Sequence, residues 1–172
     1  EGKEILSLER EIDKVTRLNK ASKDVDEESD ESTLNYGTHL HALLEIISFV
    51  NPNYDFIKDR RERKLVEGVV EIVKKFDIND AKIFKEYQFV DEKRNTRGII
   101  DLLLVYKDKA IIIDYKLKDI QDEEYKKQLL IYKEFVEDAF KVKTSCYLLS
   151  IIDQNIKELR WFYINRNFLD IN

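Results

Sequence analysis

Two apolar runs, residues 98–106 and 110–116, are separated by so little chain that a tight reversal is the only way to join them. Gly98-Ile99-Ile100-Asp101-Leu102-Leu103-Leu104-Val105-Tyr106 and Ala110-Ile111-Ile112-Ile113-Asp114-Tyr115-Lys116 both read as buried strands, and Lys107-Asp108 between them fits a two-residue turn. With that turn, Tyr106 pairs with Lys109, and counting outward sets Asp101 directly opposite Asp114. Opposed residues of an antiparallel pair share a face with side chains roughly 5 Å apart, and Lys116 joins them because strand side chains alternate with period two. The expectation is that Asp101, Asp114 and Lys116 converge.

Two carboxylates held so close repel each other and raise one pKa unless a cation lies between them. Oxygen ligands without thiolates suit Mg²⁺ or Mn²⁺. The plainer alternative is that Asp114 and Lys116 end a core strand and form a salt bridge to each other at its solvated tip.

The 172 residues suffice for one domain with a sizeable core, and 43% of them are hydrophobic. One cysteine, Cys146, excludes a disulfide framework or a four-cysteine metal site within this chain and points to a reducing, cytoplasmic setting. No apolar run reaches the length of a membrane span, and the polar start at Glu1 carries no signal peptide. The lack of any methionine suggests a piece of a longer chain. A formal charge of −5 argues against a protein that coats nucleic acid, though not against an enzyme whose acids are committed to metal. The basic cluster at 58–64 reads as a solvated helix face laced with Glu–Arg pairs in preference to a phosphate-contacting patch.

Along the chain, residues 1–33 form an N-terminal lead-in segment, partly helical near 7–18 and carrying an acidic loop at 24–31; residues 34–172 form the single functional domain. A helix runs from Gly37 to before Asn51-Pro52-Asn53, with Leu40, Leu43, Leu44 and Ile47 on one stripe. A second spans 56–76, with Leu65, Val69, Ile72, Val73 and Phe76 as its apolar face, closed by 77–80. Strands at 82–90, 97–106 and 110–116 precede a helix at 122–140, and strands near 144–151 and 156–164 complete an α/β fold with a central mixed β-sheet flanked by helices on both faces.

On the first helix His41 lies at an edge of the apolar stripe, with Glu45 one turn on, while His39 points away to water. His41 is therefore the candidate for a partly buried site beside the carboxylates. Glu86, on the strand before the hairpin, is a possible additional acid, or else an exposed partner of Lys85 or Arg97. Gln128 and Tyr132, four apart, project from one face of the long helix.

Gly98-x-x-Asp101, then Asp114-Tyr115-Lys116, then Gln128-x-x-x-Tyr132, with Gly37-Thr38-x-x-His41 upstream, resembles the RecB-family nuclease domain of the PD-(D/E)XK superfamily. The Asp-Tyr-Lys tripeptide and the Gly-Thr-x-x-His element are most similar to the C-terminal nuclease domains of AddA/RecB-type helicase-nucleases. Ala21-Ser22-Lys23 and Glu86-x-x-Phe89 also resemble family elements, and the likeness spans about residues 20–165.

The resemblance implies a restriction-endonuclease-like core and divalent-metal-dependent hydrolysis of DNA phosphodiester bonds, in double-strand break repair and recombination. It implies His41, Asp101, Asp114 and the Tyr115 carbonyl as ligands of Mg²⁺ or Mn²⁺, Lys116 as the catalytic lysine, and Gln128 and Tyr132 as support for the site and the DNA strand. The implied partners are DNA, fed as single strands by a helicase motor in the same parent chain or a partner subunit, with the isolated domain monomeric. The rivals are a nuclease-like fold that only grips DNA, a dimeric restriction or junction-resolving endonuclease, and a purely structural domain.

Overall fold

The computed structural model describes residues 31–118 and 123–161. Within them α1 (Glu31–Ile46) and α2 (Arg60–Lys74) precede β1 (Lys82–Asp91), β2 (Thr96–Val105) and β3 (Lys109–Lys116); α3 (Glu123–Phe140), β4 (Lys143–Ser150) and β5 (Asn155–Leu159) follow. The sheet order is β1-β2-β3-β4-β5, antiparallel throughout except for the parallel pair β3 and β4. A parallel neighbour cannot be reached by a hairpin, and α3 is the crossover that makes this one possible.

The expected mixed sheet with helices on both faces is therefore present. On one face α1 and α2 bury Leu40, Leu44, Val66, Val69, Val70 and Val73 against Leu102, Leu104, Ile111 and Ile113. On the other, Leu129, Tyr132 and Val136 of α3 cover Ile100, Leu103, Ala110, Ile112 and Cys146. Strands β2 and β3 are apolar in nearly every position because both of their faces are covered. None of the described helices is long and apolar enough to cross a membrane.

Local signals account for most element ends. Asp59 caps α2 by accepting the Glu62 amide, and Arg63 anchors the preceding loop by donating twice to the Ile57 carbonyl, at 3.1 and 2.7 Å. The basic run at 58–64 is thus partly spent on a cap and a loop anchor. The boundaries differ from the sequence expectation at α1, which begins at Glu31 rather than Gly37, so the 33/34 division falls inside a helix; at α2, which begins at Arg60 rather than 56; and at β5, which ends at Leu159. Apolar periodicity fails to reveal the first turn of α1 because it opens on the polar Glu31-Ser32-Thr33. The acidic residues 24–30, the segment at 7–18, Ala21-Ser22-Lys23 and the end of the last expected strand lie outside the described residues.

The hairpin turn falls where Lys107-Asp108 places it: the Tyr106 amide donates to the Lys109 carbonyl at 2.9 Å, and the ladder pairs Val105 with Ala110 and continues to Leu102 with Ile113. The ladder stops one step short of the expected Asp101–Asp114 pair. Strict alternation also breaks at Asp101. Leu102 and Leu104 face α1 and α2 and Leu103 faces α3, yet Gly98 and Ile100, which alternation would align with Leu102, also face α3. The neighbouring strand breaks on the same rung: Ile83 and Lys85 face α1 and α2, Tyr87 and Phe89 face α3, and Glu86 between them has φ 49°. A left-handed residue turns the strand by one face without changing its count, so Lys85–Leu102 and Tyr87–Ile100 keep one register on either side.

Candidate active site

At the break the Asp101 side chain lies in the plane of the sheet. Its Oδ2 accepts the Tyr115 amide at 2.8 Å. The pairing of 109, 111 and 113 with 106, 104 and 102 directs the next odd-numbered amide, that of Tyr115, towards β2. A carboxylate thus takes the place of the next backbone acceptor, and the ladder ends on a charged group that is 3% exposed.

His41 reaches the same oxygen from the α1 layer, with Nε2 3.7 Å from Asp101 Oδ2 and its ring edge-on to Tyr115 at 5.8 Å. Its Nδ1 donates to the Gly37 carbonyl at 2.9 Å, one helical turn back, which leaves the lone pair of the neutral ring on Nε2. That is the arrangement a metal-ligating imidazole uses: one nitrogen tied to a carbonyl and the other turned to the ion. The 3.7 Å gap is too long for a hydrogen bond and short enough for both atoms to contact one ion at about 2.1 Å each.

Asp114 and Lys116 lie beneath α3. Lys116 Nζ lies 2.8 Å from Asp114 Oδ2, each side chain 2% exposed, and the ammonium stands over the Tyr125 ring at 3.4 Å from its centroid. The salt bridge anticipated as the plainer alternative is present, but in the interior and not at a solvated tip. Strict alternation does not place the Asp101 side chain, because the strands twist at Glu86 and Asp101, whereas Asp114 and Lys116 follow Ile112 onto the α3 side of β3. Among the described residues no three His, Cys, Asp or Glu side chains come close enough to hold a metal ion by themselves. The ready pair is His41 with Asp101, while Asp114 is drawn to Lys116.

On α3, Gln128 Nε2 donates to Tyr132 Oη at 2.9 Å, so the two residues act as one unit on the helix face. The Tyr132 ring lies so close to β2 that a Cβ at Gly98 would fall 2.3 Å from its Cε1, and Phe89 packs edge-on against it at 5.5 Å. Gly98 is therefore the notch that lets α3 sit down on the strand carrying Asp101.

Glu86 serves the site through its backbone twist and is half-buried. Glu45 is exposed, with its charge acting on Lys85, whose ammonium donates to the Ile47 carbonyl at 2.6 Å. His39 is exposed as expected and meets Glu62 at 3.0 Å. Tyr125 is a site residue that the sequence analysis did not single out. Its spacing of three from Gln128 and seven from Tyr132 was the available signal, since those intervals share one helix face.

No protein-family model matches the chain, and no curated protein matches it in sequence.

Proposed function

We propose that this chain is a divalent-metal-dependent nuclease domain that hydrolyses DNA phosphodiester bonds, the nuclease part of a helicase-nuclease acting in break repair. The observation that carries the reading is the buried Asp114–Lys116 ion pair on β3, with Asp101 bonded to the Tyr115 amide between them in sequence and His41 Nε2 turned to Asp101. Burying two charges costs several kcal/mol each before their attraction offsets it, and such arrangements cluster where chemistry is done.

The donor set suits a hard cation: His41 Nε2, a carboxylate oxygen of Asp101, a carboxylate oxygen of Asp114 and the Tyr115 carbonyl would hold Mg²⁺ or Mn²⁺. A carboxylate has about four lone-pair sites, so Asp114 can serve Lys116 and an ion together. The ion would supply Lewis-acid polarisation of the phosphate and a more acidic bound water.

The chain's own residues do the rest. The Gly37 carbonyl keeps the His41 ring in one tautomer, and the Tyr115 amide keeps the Asp101 carboxyl aimed. Lys116, held beside Asp114, offsets charge as it gathers on phosphorus. The water oxygen bonds to phosphorus, a sugar oxygen departs with the electron pair of the broken P–O bond, and a proton is returned to it. Gln128 and Tyr132, locked together against Gly98, form the wall along which the strand is laid.

The test is to incubate the chain with linear and circular, single- and double-stranded DNA in Mg²⁺, Mn²⁺ or EDTA, beside Asp114→Ala and Lys116→Ala. Cleavage is expected with either metal, abolished by EDTA and by Asp114→Ala, and slowed about 10²–10³-fold by Lys116→Ala, the usual loss for one transition-state donor. No cleavage and no metal binding by calorimetry would overturn the reading. The close Lys116–Asp114 pairing, which engages a carboxylate oxygen that an ion would need, favours a second reading, a nuclease-like fold that grips DNA without cutting it. DNA binding without cleavage in any metal would establish that one.

A further inference from the structure

We infer that Tyr125 is a positioning residue for Lys116: the face of its ring holds the buried ammonium in place when the Asp114 carboxylate is shared with a metal ion. The inference rests on the nuclease reading for its purpose and on the geometry alone for the contact.

The ammonium of Lys116 is cut off from water, with the whole residue 1% exposed, so each of its favourable directions must be supplied by protein. Asp114 Oδ2 supplies one at 2.8 Å, and the Tyr125 ring supplies another at 3.4 Å from its centroid, which places the charge directly over the π face. The two anchors differ in chemistry. A carboxylate is also a metal ligand, so its hold on the lysine weakens when a divalent cation draws on the same oxygens. A ring face has no lone pair to offer Mg²⁺ and keeps its grip whatever Asp114 does.

Placement supports the assignment. Tyr125 is 1% exposed and stands in the first turns of α3, on the same side of the helix as Gln128 and Tyr132. The helix that lays its Gln–Tyr pair against β2 thus also reaches β3 with an aromatic face, so the docking of α3 and the aim of Lys116 are one event. Any residue of matching volume would fill the space, but only an aromatic one presents negative potential to the ammonium. This separates positioning from packing.

The experiment compares wild type, Tyr125→Phe and Tyr125→Leu. In NMR of the full chain without metal, the Lys116 ε-methylene protons, identified by their loss in Lys116→Met, are expected upfield through the ring current in wild type and Tyr125→Phe and at ordinary positions in Tyr125→Leu. In DNA cleavage with Mg²⁺, Tyr125→Leu is expected to lower kcat about 10- to 30-fold, the worth of a desolvated cation–π contact, with KM little changed, and Tyr125→Phe is expected to restore kcat. Normal ε-proton shifts in wild type would overturn the inference, as would a Tyr125→Leu variant that folds and keeps full kcat, or a Tyr125→Phe as slow as Tyr125→Leu. If wild type shows the upfield shift but cuts no DNA, the nuclease reading fails and takes the catalytic purpose with it. Cleavage without the shift defeats the role of Tyr125 alone.

Discussion

Lys116 Nζ and Asp114 Oδ2 lie 2.8 Å apart on side chains that are each only 2% exposed, an ion pair made two residues apart on one strand and sealed beneath a helix. Two positions of this kind in a domain selected only for folding would carry apolar side chains, since hydrophobic replacement of a buried pair is often neutral or favourable.

That asymmetry gives a stability prediction. Lys116→Met leaves the Asp114 charge buried without its cation and is expected to cost about 3–5 kcal/mol in urea unfolding, whereas Asp114→Asn combined with Lys116→Met recovers most of that loss. A double variant whose loss equals the sum of the two single losses would show that the pair is not coupled.

Glycine substitutions separate the two helix layers. Gly98→Ala forces a methyl to 2.3 Å from the ring of the buried Tyr132 and is expected to destabilise by about 1–3 kcal/mol, lifting α3 and disturbing the Gln128–Tyr132 hydrogen bond. Gly37→Ala meets nothing nearer than Leu117 Cδ2 at 3.8 Å. Sitting within α1, it is expected to stabilise by about 0.5–1 kcal/mol, because the Gly37 group bonded to His41 is a backbone carbonyl that alanine keeps. Thermal melts of the two variants shifting in the same direction would contradict this.

Acid should loosen the β1–β2 turn from α3. Arg94 meets Asp91 at 2.8 Å and Glu134 at 3.5 Å and is hydrogen-bonded to Asp138, and it holds the carboxyls of Asp91 and Asp138 below the usual range. With folded values below unfolded ones near 3.9, the stabilisation is present above that pH and is lost as pH falls through the lowered folded values. The stability gap between wild type and Arg94→Ala is therefore expected to be constant from about pH 8 to 5 and to narrow below about 4. A gap unchanged in acid would mean that Arg94 works by packing alone.

Cys146 is expected to resist alkylation in the native protein at pH 8 and to react fully in denaturant. Burial under α3 pushes its thiol up to about 12, well above the ordinary value, and its Sγ lies 3.8 Å from the Leu129 carbonyl. Because the folded value is the higher one, the neutral thiol favours the fold fully below about 8.5, and that contribution is lost as pH rises towards the folded value. Rapid native-state labelling, followed by mass spectrometry, would show that the α3 face opens readily.

The sequence by itself determined whatever depends on local periodicity. The apolar runs around Lys107-Asp108 set the β2–β3 register to the residue, because a two-residue turn permits one pairing. Stripes of helical period separated α1, α2 and α3, and the partly buried His41 was distinguished from the exposed His39 by angle alone. What only the tertiary structure decided is where the side chains near Asp101 point. Alternation is a rule for a regular strand, and the left-handed Glu86 and the matching break at Asp101 arise where two strands twist together between opposing helix layers, with no local pattern to announce them. Burial likewise belongs to the whole fold: the same Asp-x-Lys is a solvated tip or a sealed ion pair according to whether α3, arriving from the far end of a crossover, lays Tyr125 over it.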